Sequence, residues 1–313
     1  MPVLRASVAT SWQLGMSVIA AGCFVLFLCC FAMTRERVAT VSTVSIGKDF
    51  RSLLSNRPWW LLIGAALCFN LFNTVRGASV AYFFADVIGA DARLDFGHWG
   101  NVLFYSGLFL GVGEIANMVG VALTVSIAGR FGKKTTFIGV NVALIVLSVI
   151  FFMVPLSAAG YWMMMVLQVV ICICTGIMSP LVWSMYADVS DYAELKYNTA
   201  STGLIFSSSS MAQKFGGAIG GAAVLWLLDI CGYITPAAEG LAVESVAQPA
   251  SAIACLWWLM SFTPAVVAAL AVFTVSFYPL TTEKVNEICS RLGVRRAAAN
   301  AEEAREQSTL QPE

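Results

Sequence analysis

Charge is scarce in this chain of 313 residues: Asp, Glu, Lys and Arg make up 12% of it against 59% hydrophobic residues, and mean hydropathy is +0.80. So few charges cannot coat a soluble globule of this length, which excludes one. The 18 basic and 18 acidic side chains cancel, so no net field steers nucleic acid or an acidic substrate towards the chain. Histidine occurs once, at His98 in a polar connection, with no metal-ligand cluster, nucleophile elbow or phosphate-binding motif beside it. An enzyme is therefore not expected, nor any metal or cofactor. Most of the nine cysteines (Cys23, Cys29, Cys30, Cys68, Cys172, Cys174 and Cys255) lie in apolar runs, with Cys231 and Cys289 outside them. Neither a disulfide framework nor a zinc spacing is present.

What is abundant is apolar length. Seven runs reach the roughly 20 residues that a helix needs to cross hydrocarbon: Trp12 to Met33, Pro58 to Ala85, Gly100 to Ala128, Thr135 to Pro155, Tyr161 to Ala187, Thr199 to Leu228, and Ser251 to Leu280. None alternates with period two, so they read as helices rather than strands of a membrane barrel. The expected fold is all-α, a polytopic membrane protein with seven transmembrane helices. The first run is 22 residues long and ends in Met33-Thr34-Arg35 without a small-residue cleavage pattern, so it reads as a permanent span and not a signal peptide. The organisation is then a first span over residues 1–33, a connection over 34–57, a six-helix bundle over 58–282 and a polar tail over 283–313.

Lys and Arg crowd alternate connections: Arg35, Arg37, Lys48, Arg51 and Arg57 in the first, Arg130, Lys133 and Lys134 in the third, Lys196 in the fifth, and Lys284, Arg291, Arg295, Arg296 and Arg305 in the tail. The opposite side carries Arg93 with Asp86, Asp91, Asp95, Glu239 and Glu244. Basic connections stay cytoplasmic, which places the N-terminus outside and the C-terminus inside a cell inner membrane. Within the first connection Ile46, Phe50, Leu53 and Leu54 recur at helical spacing. That pattern fits a short helix on the inner leaflet as well as a plain linker. The Ala-, Glu- and Arg-rich tail reads as a frayed helix or disorder.

Charges inside the spans mark candidate sites, because each costs about 2.5–3.5 kcal/mol at the bilayer centre on insertion scales. Lys214 and Glu114 fall about 20 Å deep from opposite faces at 1.5 Å per residue. Glu114 reads as an ion or proton site or as the counter-charge of Lys214, the pairing being favoured because a lone buried charge costs more than a pair. Arg76 sits about 27 Å along its span, where it fits either an anchor that snorkels to the outer surface or a cavity-lining residue. Gly203, Ser207, Ser210, Lys214, Gly217 and Gly221 share one helix face, and Gln168, Thr175, Ser179, Trp183 and Tyr186 share another. Asn70, Asn73 and Gly77 form a polar patch on the second span, and Gly107, Gly111 and Asn117 accompany Glu114 on the third. An aromatic ring combined with hydroxyls and amides suits a sugar; a helix seam glued by Ser, Thr and Gln is the other reading.

The connection Ala128-Gly-Arg-Phe-Gly-Lys-Lys134 resembles the basic glycine loop of the major facilitator superfamily. Tyr186-Ala-Asp-Val-Ser-Asp-Tyr-Ala-Glu-Leu-Lys196, followed 18 residues later by Lys214-Phe-Gly-Gly217, is similar to the glycoside-pentoside-hexuronide:cation symporters, the melibiose permease-like family. Thr34-Arg-Glu-Arg37, Asn56-Arg-Pro58 and Ala81-Tyr-Phe-Phe84 stand where that family carries similar strings. The resemblance covers about Trp12 to Leu280 and implies that the seven spans correspond to helices six to twelve of a twelve-helix transporter. It implies a sodium- or proton-coupled sugar or glycoside symporter working by alternating access, whose coupling-cation site and acidic sugar-gripping pair lie on five helices this chain lacks. A separate N-terminal half would then be a partner, beside the sugar and the lipid bilayer; no nucleic acid is implied. Lys214 matches the family lysine facing the cation and sugar sites. Ser179 stands where the family type has tryptophan, and Trp183, one turn on, is a substitute stacking residue. The resemblance makes Arg130, Lys133, Lys134, Asp188, Asp191 and Glu194 a cytoplasmic gate latching the two halves. The alternatives are a non-transporting membrane fragment, or a transporter of another amphiphilic solute such as a lysolipid.

Overall fold

A computed structural model describes residues 2–34, 46–88, 102–197, 202–235 and 247–310. Arg35, Arg37, Asp91, Arg93, Asp95, His98, Glu239 and Glu244 lie outside the described residues. Among the described residues all regular structure is helical: α1 (Pro2–Met33), α2 (Ile46–Leu54), α3 (Arg57–Tyr82), α4 (Val102–Phe131), α5 (Lys133–Phe152), α6 (Ala158–Tyr197), α7 (Thr202–Ile230), α8 (Ala250–Met260), α9 (Phe262–Ser276) and α10 (Thr282–Leu310). Seven stretches are long and apolar enough to cross a membrane: Gln13–Met33, Arg57–Ile88, Tyr105–Phe131, Lys133–Phe152, Ala159–Tyr197, Thr202–Ile230 and Ala250–Ser276. They are the seven expected runs with shifted ends. The last is interrupted at Ser261, where α8 gives way to α9.

The chain divides into two compact units, α1 in one and α2 to α10 in the other. Along α1 the apolar side chains from Leu14 to Met33 are exposed, as a lipid-facing helix requires. In the second unit the Asn56-Arg-Pro58 string is the start of α3. Asn56 caps it by accepting a hydrogen bond from the Trp59 backbone N–H at 3.3 Å, and Pro58 occupies the first turn, where its missing N–H is not needed. The segment preceding it folds as the helix α2, which buries Leu53 against α3, α6 and α7 and leaves Phe50 and Leu54 exposed. Tail residues 282–310 are likewise helical; α10 tucks Ile288 and Leu292 into the core beside α6.

Two apolar clusters hold the bundle. One gathers Leu53, Leu62, Met185, Tyr186, Tyr278 and Leu292 at the Lys/Arg-rich end. The other gathers Val80, Phe83, Phe84, Phe109, Tyr161 and Leu256 at the opposite end, where α3 widens into a π-helical turn over Phe83–Ile88. In that turn the Phe83 ring meets Trp257 edge-on at 4.9 Å and Phe84 meets Phe109 at 5.1 Å.

α3 runs between α7 and α9, α5 packs on α9 and α6, and α4 packs on α6. The α4–α6 crossing brings backbone against backbone. A Cβ at Gly120 would collide with the Ile173 carbonyl, and one at Gly176 with that of Asn117. Polar side chains stitch the same seam: Asn117 donates to Thr175 Oγ1 at 3.2 Å, and the Thr124 hydroxyl donates to the Ile177 carbonyl at 3.3 Å. Small residues and short polar bonds of this kind are what drives helix association in lipid, which gives no hydrophobic reward for burial. Replacing Gly176 by Ala therefore lowers the thermal unfolding temperature of the detergent-solubilised chain, by an amount equivalent to about 1–3 kcal/mol for overpacking. Gly139→Ala, which points into open space, leaves that temperature unchanged or raises it slightly.

Candidate functional site

Where the two apolar clusters meet, α3, α4 and α6 line an open cleft of about 340 Å³, within the roughly 300–1,000 Å³ usual for small-molecule sites. Its wall carries Asn70, Asn73 and Arg76 from α3, Glu114 and Asn117 from α4, and Gln168, Thr175 and Ser179 from α6. Three polar patches that the sequence shows separately thus converge on one space.

Arg76 is the organising group. It is only 5% exposed, which decides against the interfacial anchor and for the cavity-lining residue. Its Nη1 donates to the Met260 carbonyl at 2.8 Å, its Nη2 donates to Gln168 Oε1 at 2.7 Å, and the guanidinium lies 5.1 Å from the centre of the Phe151 ring. The Met260 carbonyl is available for a reason readable in the chain. An α-helical residue at position 264 would donate to it, but that residue is Pro264, which has no N–H. Arg76 supplies the donor that the proline removes and so ties α3 to the α8–α9 break. Gln168 itself donates Nε2 to Cys172 Sγ at 3.3 Å. No carboxylate comes within ion-pair distance of Arg76 among the described residues.

The amides of Asn70 and Asn73 donate back to the Ala66 and Phe69 carbonyls at 2.8 and 3.2 Å. Pro180 inside α6 removes the N–H that would otherwise meet the Gly176 carbonyl, and it lies beside Ser179 and one turn past Thr175 on the cleft wall. The wall therefore offers a cation, a carboxylate, amides and hydroxyls together. Such a surface suits a small solute with several hydroxyl groups and no large apolar face.

Lys214 is placed elsewhere. Gly216 and Gly220 of α7 press against Asn70, Leu67 and Thr74 of α3, so Lys214, two residues before Gly216, looks away from α3. It is exposed and does not line the cleft, and the expected Glu114–Lys214 pair does not form among the described residues. Ser207 and Ser210 share this outward stripe, each donating to its own helix at the Leu204 and Phe206 carbonyls. Trp183 also lies off the cleft wall: its ring stacks on Phe206 at 5.8 Å with planes 9° apart, between α6 and α7.

The charged motifs at the Lys/Arg-rich end are bonded within the chain. Gly132, at φ +80°, turns the chain from α4 into α5 and points Lys133 and Lys134 inward. Lys133 Nζ donates to both Asp188 carboxylate oxygens at 2.7 Å. Lys134 Nζ donates to the Ser276 and Tyr278 carbonyls at 2.9 and 2.7 Å, closing the end of α9. Arg296 of α10 reaches Glu194 at 2.6 Å and Asp191 at 3.4 Å, and those carboxylates hold its guanidinium above the usual arginine pKa range. Burial, with Asp188 and Tyr186 nearby, holds the Tyr278 hydroxyl well above its ordinary pKa and so neutral. Arg130 is exposed. The acidic motif thus finds cations within this chain.

The family of the chain follows from comparison with known proteins. A model described as MFS/sugar transport protein matches residues 3–282. The chain belongs to this MFS/sugar transport family. Among its relatives, the inner membrane symporter YicJ of Escherichia coli is 30% identical over 90% of this chain and 57% of the relative. The putative glycoside/cation symporter YagG of the same organism is 29% identical over the same shares. The isoprimeverose transporter of Lactiplantibacillus pentosus is 28% identical over 87% of this chain and 53% of its own length. The chain thus spans a little over half the length of these relatives. Membership bears out the resemblance seen in Tyr186–Lys196 and Lys214–Gly217, and the family is one of transporters.

The interior of the pairs decides their weight. Lys133→Met leaves Asp188 uncompensated and costs about 1–3 kcal/mol, below the fully buried range because the lysine side chain is 35% exposed. Arg296→Met breaks a pair in which the arginine is 57% exposed and costs less than about 1 kcal/mol. Thermal unfolding of the two variants side by side checks this order.

Proposed function

We propose that this chain forms one wall of a cation-coupled sugar or glycoside symporter that works by alternating access, with the rest of the transporter supplied by residues outside it. The observation that carries the reading is the polar cleft around buried Arg76, which opens onto an exposed face of an apolar bundle where Asn73, Glu114 and Ser179 lie bare. Lipid penalises such a surface heavily unless a polar solute or water fills it. The relatives named as a glycoside/cation symporter and an isoprimeverose transporter support a sugar as that solute. Asn73, Gln168, Thr175 and Ser179 would take its hydroxyls. The outward stripe Ser207, Ser210 and Lys214 would face the second wall, where a sodium ion or proton couples to transport. In the membrane the Lys/Arg-rich end would lie in the cytoplasm, with α1 entering from outside and α10 in the cytosol. Rocking of one wall against the other about a midplane site then moves the solute, and the Met260–Arg76–Gln168 bonds keep α3, α6 and the α8–α9 break moving as one body.

Transport assay of the complete transporter, made by joining or co-expressing this chain with its other helices, tests the proposal. Uptake of a radiolabelled glycoside that rises with an imposed sodium or proton gradient is the expected result. Lys214→Ala lowers the gradient-driven component by at least about tenfold, equivalent to about 1.4 kcal/mol, with membrane insertion unchanged. Absence of gradient-dependent uptake across a panel of glycosides and uronides would leave a non-transporting membrane protein or a carrier of a lysolipid-like solute.

A further inference from the structure

No spacing in the sequence pairs Cys231 with Cys255, yet the fold sets them side by side at the end of the bundle opposite the Lys/Arg-rich one. Gly232, at φ +76°, stops α7 just after Cys231. The Leu227 carbonyl, one turn earlier, accepts two bonds, from the Cys231 backbone N–H at 3.1 Å and from the Cys255 thiol at 3.6 Å. Ser251, one turn before Cys255 on α8, donates its hydroxyl to the Cys231 carbonyl at 2.7 Å. Two residues on one face of α8 thus hold Cys231 by its main chain, and the Cys231 and Cys255 side chains interact directly. Both are free thiols in the structure.

Resting on the orientation proposed above, which puts this end outside the cytoplasm, we infer that Cys231 and Cys255 form a dithiol site that is oxidised to a disulfide by a protein of the dithiol–disulfide oxidoreductase class. Disulfides persist outside the cytoplasm and are kept reduced within it, so the end of the bundle at which the pair lies decides its fate. Cys231 is half-buried while Cys255 is only 8% exposed, so the reaction begins at Cys231. Its thiolate bonds to one sulfur of the reagent's disulfide and expels the other as a thiolate. The Cys255 thiolate then attacks the Cys231 sulfur, and the mixed S–S bond breaks. The reagent leaves as a dithiol, having taken up the two electrons and the two protons that the pair gives up.

The bond closes the connection between α7 and α8 into a loop. It ties α7, which carries the exposed Lys214 stripe, to α8, which carries the Met260 carbonyl that Arg76 holds. Around it the same end is fastened by hydrogen bonds alone. Ile234 and Gln248 exchange two, at 2.9 and 2.8 Å, and the Tyr233 hydroxyl donates to Asp86 at 2.6 Å. Hydrogen bonds that compete with water contribute little net stability, whereas a covalent bond holds while the wall rocks.

The test uses the full chain in the inner membrane of intact bacteria, co-expressed with its other helices. Cells are quenched in acid, the protein is denatured, free thiols are blocked with N-ethylmaleimide, and the digest is analysed by mass spectrometry without reduction. The expected result is that most of the Cys231 peptide is joined to the Cys255 peptide, at a mass two hydrogens below the sum of the two thiol peptides, and that dithiothreitol separates them. Cys255→Ser returns Cys231 as the alkylated thiol. Orientation is read independently from Cys289, an exposed thiol on α10, with a membrane-impermeant maleimide on intact spheroplasts. Cys289 stays unlabelled until the membrane is opened if the tail is cytoplasmic. Recovery of both Cys231 and Cys255 as alkylated thiols while Cys289 is protected, or linkage of Cys231 to a different cysteine, overturns the inference and leaves the orientation standing. Labelling of Cys289 from outside overturns the orientation and the inference with it.

Discussion

One buried cation sets the terms for the rest of this bundle. Arg76 sits in a layer where lipid surrounds the protein and apolar side chains fill it, and it is tolerated because Pro264 leaves the Met260 carbonyl without its helical donor. The proline breaks the last span into α8 and α9, the arginine fills the gap it leaves, and Gln168 fixes the other arm of the guanidinium. Three spans are thereby joined through a single side chain. A defect in one helix has become the joint that locates a cleft.

The remaining polar groups fall into two classes by what they face. At the helix crossings, Gly120 with Gly176 and Gly216 with Gly220 let backbones approach, and Asn117 and Thr124 spend their donors on neighbouring helices. At the Lys/Arg-rich end, Lys133, Lys134 and Arg296 are spent on Asp188, on two carbonyls and on Asp191 and Glu194. Both classes hold the wall rigid, which a rocking mechanism needs, since force passes between halves only if each moves as a body. Lys214, Ser207 and Ser210 belong to neither class. They lie on a stripe that is exposed among the described residues.

Architecture was legible in the sequence to the level of individual helices, because twenty apolar residues in a row admit few structures in lipid. The α2 helix was legible only as one of two readings, since the spacing of Phe50, Leu53 and Leu54 over so short a stretch fits a linker as well. The polar patches on α3, α4 and α6 could each be read from helical periodicity, but their meeting at one cleft could not, since periodicity gives the face of a helix and not its neighbour. Lys214 shows the same limit: its depth suggested a partner in Glu114, while the glycines two and six residues on turn it away. The fate of Arg76 had a signal that went unused, a proline four residues after Met260 in an otherwise apolar run. Asp188, Asp191 and Glu194 were recognisable as an acidic motif, yet Arg296 as the partner of two of them required knowing that the polar tail folds back as α10.

The account stands or falls on whether the cleft beside Arg76 is a wet, solute-facing space in the membrane. Placing a single thiol there by Ser179→Cys, in a chain whose nine native cysteines are replaced, and measuring its reaction with a membrane-impermeant methanethiosulfonate in vesicles tests this most directly. The account predicts that the thiol reacts and that a saturating sugar ligand slows the reaction severalfold. A thiol that stays unreactive from both sides of the membrane, or one that reacts at the same rate whatever sugar is present, would contradict it.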